Sequence, residues 1–180
     1  MRRSIGIAVS LLVIGVAAVL LVGPWTKEAV VAADGERVTV LDDCDPTDPT
    51  WAPTGGCTLE EGDVNRNEFN ALLSSPRSSA VVGHPAWRNA PSYLTIEPDE
   101  TVRVRNRGGR GHTFTEVAVF GGGVVPPLNM GLTPAPECAT ATPLPPGAST
   151  QVRGLSVGNH RFQCCFHPWM RALIKVKPED

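Results

Sequence analysis

Near the C-terminal end of the chain, a thiolate, an imidazole and a thioether follow one another at intervals of three residues: Cys164, His167 and Met170. The residues from 159 to 164 are predicted to form a β-strand, and a further strand is predicted from 171 to 177. The three donors therefore lie at the end of one strand and in the tight loop that leads to the next. This arrangement indicates that the loop binds a metal ion.

A mixed set of sulfur and nitrogen donors suits copper. An ion that cycles between Cu(I) and Cu(II) needs ligands that both states tolerate, and one thiolate and two imidazoles in a plane with a weak axial methionine meet this need. The loop supplies three of these donors. The second histidine must come from elsewhere, and His112 opens a predicted strand directly after the glycine-rich break 108–111. The sequence therefore predicts one type 1 copper ion bound by His112, Cys164, His167 and Met170.

Short alternating segments separated by turn residues predict a fold made mostly of strands. Eighteen glycines and 17 prolines in 180 residues suit many turns better than long helices. Strands are predicted at 36–41, 93–97, 101–106, 112–120, 149–153, 159–164 and 171–177. Val102 and Val104 are expected to face inward, with the intervening arginines in water. This pattern favours a Greek-key sandwich or barrel.

The ligand pattern resembles the cupredoxin family, particularly its plastocyanin, amicyanin and pseudoazurin branch. The short amicyanin loop carries Cys-x-x-His-Pro-x-Met-Arg, and five residues of this chain match it: Cys164, His167, Pro168, Met170 and Arg171. His112 corresponds to the upstream histidine of the family. The resemblance covers about residues 90–177, and it implies a copper-binding β-sandwich that carries one electron at a time.

The chain departs from the family pattern at several positions. Thr113 stands where many members have an asparagine that ties the two ligand-bearing loops together, so that link is a hydroxyl here or is missing. His160 stands where an aromatic residue is common, and we expect a core or barrel-end histidine rather than a ligand. His84 is expected to be a loop residue. Cys165, directly after a ligand, is also unusual.

Three segments are predicted along the chain: residues 1–33 as a signal peptide or membrane anchor, 34–87 as an acidic extension, and 88–180 as the cupredoxin domain. Residues 34–68 contain ten acidic and two basic side chains, whereas 69–180 contain seven acidic and eleven basic ones. A short helix is predicted from 63 to 73, with Asp63 as its N-cap. The predicted fold class is thus all-β, a cupredoxin-like Greek-key β-sandwich with an irregular, partly helical N-terminal extension.

The N-terminal segment predicts export. Two arginines precede an uncharged, almost wholly apolar run over residues 5–22, which is as long as a signal-peptide core or a short membrane span. The arginines favour a cytoplasmic N-terminus and an extracytoplasmic body, either secreted or held at the cell surface. Small residues at 31–33 offer a cleavage site, and cleavage and anchoring through residues 5–22 both stay open.

Five cysteines in an exported chain leave one thiol over after two disulfides form, and the metal accounts for it. If Cys164 points inward to copper, strand parity makes Cys165 point outward. Cys138, in the long loop, is then its expected disulfide partner, and Cys44 pairs with Cys57. Four cysteines allow three connectivities, so this pairing depends on proximity and parity.

The favoured function is electron transport by a small carrier that is not an enzyme, because a site with four protein donors leaves no position for a substrate. A protein that stores or delivers copper is the alternative, although three methionines and no histidine-rich tract fit it less well. A structural domain would be expected to have lost ligands. The expected partner is a redox protein of unknown identity, docking on a rim formed by Pro126, Pro127, Pro168 and Trp169. No nucleic-acid motif occurs.

Overall fold

The computed structural model describes residues 36–75 and 82–179, which form two four-stranded β-sheets. The first sheet contains β1 (Arg37–Leu41), β2 (Arg88–Ala90), β4 (Val102–Asn106) and β6 (Ser149–Val152), in the order β2-β1-β4-β6. The second contains β3 (Tyr93–Ile96), β5 (Thr115–Val117), β7 (Gly158–Gln163) and β8 (Arg171–Val176), in the order β3-β8-β7-β5. Helical segments among the described residues are α1 (Arg66–Leu73) and three short 3-10 turns, Pro49–Thr54, Pro126–Leu128 and Pro136–Thr140. The predicted all-β class is confirmed.

Alternation along β4 shows how the sequence selects the inner face of a sheet. Val102 and Val104 are fully buried, whereas Arg103 and Arg105 are exposed, as predicted from the period of two. Burying a valine side chain stabilises a fold by about 1.5–3 kcal/mol relative to leaving it in water. The same face carries Asn106, whose amide donates to the carbonyls of Arg110 and Leu144 and so starts the turn that leads to the predicted metal site.

The predicted extension contributes a strand to the first sheet. β1 pairs in parallel with β4 and antiparallel with β2, so it lies inside the sheet between them. Its inward residues Val38 and Val40 are fully buried in the main core. The described residues thus belong to one unit, Ala33–Asp180. The first sheet continues across the segment boundary predicted at residue 87, because β1 pairs with β2.

Two predicted elements have different bounds, each for a local reason. The helix begins after Asn65 and not after Asp63, because Val64 forms a β-bridge to Cys44. Asn65 is the N-cap, and its side chain accepts from the N–H of Glu68 at 2.9 Å. The strand predicted over 112–120 shortens to β5. His112 makes an isolated bridge to Leu144, and the N–H of Ala118 donates to the Glu137 carboxylate instead of to a strand.

The cysteines pair as parity predicted. Disulfides join Cys44 to Cys57 and Cys138 to Cys165, and Cys164 is a free, buried thiol. Cys164 belongs to the main core, whereas Cys165 packs in a second cluster with Val117, Ala135 and Cys138. The side chains of these adjacent cysteines, directly after β7, thus point in opposite directions.

The predicted signal peptide or anchor, residues 1–33, lies outside the described residues. Among residues 36–75 and 82–179, the structure contains no helix with the length and apolar character that crossing a bilayer requires.

Candidate metal centre

His112, Cys164 and His167 come together although 52 residues separate the first two along the chain. Their ligand atoms all lie within 4.8 Å of one another. The Nδ1 atoms of His112 and His167 are each 3.7 Å from the Cys164 sulfur. All three side chains are buried, with His112 and Cys164 fully so and His167 at 6% exposure. The structure therefore presents three donors to one enclosed point.

The loop between Cys164 and Met170 is closed by its own backbone. The N–H of Cys164 donates to the Met170 carbonyl at 3.0 Å, and the N–H of Met170 donates to the His167 carbonyl at 2.9 Å. Asn89 of β2 adds an amide donor to the same Met170 carbonyl at 3.1 Å. These bonds hold Met170 next to Cys164, at the point where β8 begins. Met170 is 1% exposed, and the axial role of its thioether stays a prediction.

His112 is positioned by the glycine-rich turn and by a carboxylate that the sequence analysis did not single out. Its Nε2 lies 2.7 Å from Oδ2 of Asp42, and both side chains are fully buried. The N–H groups of Gly109 and Arg110 donate to the same carboxylate at 3.0 and 3.1 Å. A Cβ at Gly108 would lie 2.1 Å from Oδ2, so the turn needs glycine there to make room for Asp42. The only indication of Asp42 in the sequence is its position as an acidic residue directly after the strand predicted at 36–41.

Electrostatics in the metal-free site favour a thiolate. Burial opposes the charged forms, but hydrogen bonds from His112 and His167 outweigh it and lower the pKa of Cys164 well below its usual range. For His112, burial is likewise outweighed, by the Asp42 hydrogen bond and by Cys164, and its pKa rises to about 9. Burial dominates at His167 and lowers its pKa. A sulfur that is already anionic is the form that a metal ion binds.

Thr113 supplies the link that the family places on asparagine. Its hydroxyl accepts from the N–H of Cys165 at 2.8 Å, and its own N–H donates to the Cys164 sulfur at 3.4 Å. Thr113 is fully buried. The hydroxyl therefore ties the His112 segment to the Cys164 loop.

Aromatic side chains cover the ring of His167, and two residues of the predicted docking rim belong to this buried region. The centroids of the Trp169, Phe69 and Trp87 rings lie 5.5, 6.4 and 6.4 Å from that of His167. Trp169 and Pro168 are both buried, so neither forms part of an exposed docking rim. Gly83 packs directly on the Trp169 ring, where a Cβ would lie 2.0 Å from its carbons. Trp169 is thus a packing residue.

A cleft of about 720 Å³ reaches His167 from another side. Its walls are largely apolar and include Phe69, Leu128 and Phe166, with two guanidinium groups, those of Arg66 and Arg110. The Arg110 guanidinium lies 4.4 Å above the Trp51 ring and donates to the carbonyls of Thr54 and Gly56. Of the predicted rim, Pro127 lines this cleft.

The two other described histidines lie outside the donor group. His160, four residues before Cys164 on β7, bonds Glu116 at 2.6 Å and the Ser156 carbonyl at 2.7 Å. His84 is buried, stacks on Phe69 and accepts from the N–H of Ala86. Burial lowers its pKa. It is part of the aromatic cover.

The donor separations fit one metal ion bound by the Cys164 sulfur and both histidine nitrogens. With bonds of about 2.0–2.3 Å to nitrogen and sulfur, as in zinc sites, donors 3.7 Å apart subtend an angle of about 115–120° at the metal. Two imidazoles and one thiolate in that arrangement are the equatorial ligands of a blue copper site. The residues present therefore fit one copper ion.

No protein-family model matches the chain, and no curated protein matches it in sequence. Solved cupredoxin structures do match. A purple cupredoxin from Nitrosopumilus maritimus shares 16% identity over 78% of this chain and 98% of that chain, with a TM-score of 0.42. An oxidised amicyanin variant shares 13% identity over 83% and 88%, with a TM-score of 0.40. A reduced Cu(I) amicyanin variant shares 20% over 50% and 73%, with a TM-score of 0.36.

These similarities concern the fold, and the chemistry depends on the site itself. Two β-sheets with a buried group of His112, Cys164 and His167 define a cupredoxin-like protein with a site for one copper ion. The resemblance that the ligand spacing indicated is thereby confirmed.

Replacing Thr113 with valine tests the hydroxyl link. The variant keeps the shape of the side chain but leaves the buried N–H of Cys165 without its acceptor, which costs about 1–3 kcal/mol in the free energy of unfolding. Chemical denaturation of the metal-free protein measures this loss. Thr115→Val is the control, since the Thr115 hydroxyl bonds only the Thr113 hydroxyl and is half-buried. Equal losses in both variants would show that the link to Cys165 carries no special weight.

Proposed function

We propose that the protein is a one-electron carrier whose copper ion is bound by His112, Cys164, His167 and Met170. The observation that supports this most directly is the pair of 3.7 Å separations between the Cys164 sulfur and the two Nδ1 atoms. The ligand atoms of His112, Cys164 and His167 all lie within 4.8 Å of one another. These residues would hold one copper ion, which would supply the one-electron change between Cu(I) and Cu(II).

The protein's own residues hold the donors in place through each transfer. His112 is held by Asp42, and the Cys164 loop is closed by backbone hydrogen bonds and by the Thr113 hydroxyl. The Phe69 and Trp169 rings pack next to His167 and limit its movement. A rigid site limits the rearrangement that a change of oxidation state demands, which favours electron transfer.

The same features favour a carrier over an enzyme or a copper-delivery protein. With Met170 as the fourth donor, no position is left for a substrate. Within the described residues, His112, Cys164 and His167 form the one group of metal-binding side chains that lie together in this way. Delivery requires a partner to reach the ligands, and the burial of His112, Cys164 and Met170 opposes that.

We further propose an extracytoplasmic location. Two disulfides in a chain of this size are typical of proteins that work in an oxidising compartment. The apolar run 5–22, read as a signal peptide or an anchor, gives the route of export.

The partner is proposed to be another redox protein, with the cleft over His167 as its contact point. The ring of His167 lines this cleft, so it is the ligand through which the site can meet a docked partner. The apolar walls allow contact without a strong ion pair, which suits brief association, as in small electron-transfer interfaces.

The Cu(II) form should be intensely blue, through charge transfer from the Cys164 thiolate. Cys164→Ser should lose this band and stay folded, since both disulfides remain. Visible absorption and circular dichroism measure the two properties. His160→Gln, at a histidine outside the donor group, should keep the band. A colourless Cu(II) complex of the unmodified protein would exclude a type 1 site.

Met170→Gln should retain copper and lower the reduction potential, because an amide oxygen favours Cu(II) more than a thioether does. A redox titration followed by visible absorption measures the potential. Met130→Gln is the matched control, at a half-buried methionine outside the ligand loop. If the potential of the Met170 variant equals that of the unmodified protein, the thioether is not a ligand.

Leu128→Ser should slow electron self-exchange between Cu(I) and Cu(II) copies several-fold without changing the visible spectrum, because it makes one wall of the cleft polar. NMR line broadening in mixtures of the two forms gives the rate. Val119→Ser, at a valine that is 72% exposed and is not in the cleft, serves as the control. Equal rates for both variants would place the contact elsewhere.

A further inference from the structure

We propose that Asp42 is a positioning residue of the copper centre: it holds His112 in the orientation and tautomer that direct Nδ1 to the metal, and it lowers the reduction potential. This inference rests on the function proposed above. It assigns the predicted acidic extension, residues 34–87, a role in the metal centre that the ligand pattern does not contain.

The first step is the tautomer of His112. An ionised carboxylate only accepts hydrogen bonds, so the short contact between Asp42 Oδ2 and His112 Nε2 requires a proton on Nε2. The lone pair of the neutral ring then lies on Nδ1, the atom that is 3.7 Å from the Cys164 sulfur. Metal-binding histidines are commonly oriented in this way by a carboxylate on the other ring nitrogen.

The second step is that hydrogen bonds fix the orientation of the Asp42 carboxylate. Its Oδ1 accepts from the N–H groups of Cys44 and Gly109, and its Oδ2 accepts from that of Arg110 as well as bonding His112. The turn closes around it, since a Cβ at Gly108 would lie 2.1 Å from Oδ2. Two residues on, the Cys44–Cys57 disulfide packs against Gly109, where a Cβ would lie 2.6 Å from the Cys44 sulfur. The carboxylate is therefore held from several sides.

The third step concerns charge. Arg110 is buried nearby and its charge interacts with that of Asp42, but its guanidinium donates to the Thr54 and Gly56 carbonyls and, among the described residues, forms no hydrogen-bonded ion pair with the Asp42 carboxylate. The side-chain partner of Asp42 is thus His112. A fixed negative charge in a buried site stabilises Cu(II), with its extra positive charge, more than Cu(I). The expected consequence is a lower reduction potential than the four ligands alone would give.

The fourth step is the origin of this residue. Asp42 directly follows β1, and β1 lies between β2 and β4 in the first sheet. β4 leads in turn to the glycine-rich break and His112. Pairing of β1 with β4 therefore brings the Asp42 carboxylate to His112. The predicted acidic extension, residues 34–87, is thus needed for a complete metal centre.

The test compares Asp42→Asn with Asp43→Asn. Both remove one negative charge from neighbouring positions, but only Asp42 bonds His112. Loss of an outer carboxylate typically costs about 10- to 100-fold in metal affinity. If the loss falls on Cu(II) alone, each tenfold step raises the potential by about 59 mV. We expect the potential of Asp42→Asn to rise and that of Asp43→Asn to stay near the original. Equal shifts in both variants, or no shift in the first, would overturn the proposal.

A measurement on the unmodified protein covers the case in which Asp42→Asn does not fold. In the diamagnetic Cu(I) form, the Nε2 proton of His112 should give a strongly downfield NMR signal that exchanges slowly with water, because Asp42 holds it in a fully buried bond. Its absence would overturn the proposal. If the unmodified Cu(II) protein is not blue, the proposed function itself fails, and that result is separate from either outcome for Asp42.

Discussion

The buried Cys164 sulfur is the group on which the arrangement of the site depends. A thiolate in a fully buried position is stable only because two imidazole nitrogens lie 3.7 Å from it and lower the pKa of the thiol. Each imidazole must in turn be held in place. Asp42 holds His112, and packed aromatic rings surround His167. The surrounding fold can be understood as the means of keeping these two rings at that distance.

Those requirements explain local sequence features that would otherwise look unrelated. Glycine at 108 and 109 leaves room for the Asp42 carboxylate and for the Cys44–Cys57 disulfide. The Thr113 hydroxyl accepts from the Cys165 N–H, and β5 ends at Val117 because the N–H of Ala118 donates to the Glu137 carboxylate. Since Cys165 is in a disulfide on the other face of β7, the ligand loop is held from both sides.

Much of this could be predicted from local patterns. Alternation located most strands, and parity paired the cysteines, because both depend on residues close together in sequence. The spacing of Cys164, His167 and Met170 pointed to copper for the same reason. Asp42 could not be recognised, because its role appears only when β1 pairs with β4. The cover over His167 could not be predicted for the same reason, because Phe69 lies in the helix predicted over 63–73 and only tertiary packing places it near a ligand.

Asp42 and Phe69 both come from the segment that composition alone marked as an acidic extension, and each lies next to a different histidine of the site. Asp42 places a negative charge behind His112, whereas Phe69 and its aromatic neighbours limit access to His167 and leave the cleft beside Leu128 as the approach. A simple cupredoxin sandwich without this segment would lack both contacts. On the proposed function, the same stretch of chain would set the reduction potential of the copper and the place where a redox partner docks, so changes within it would alter both properties without changing the proposed ligands.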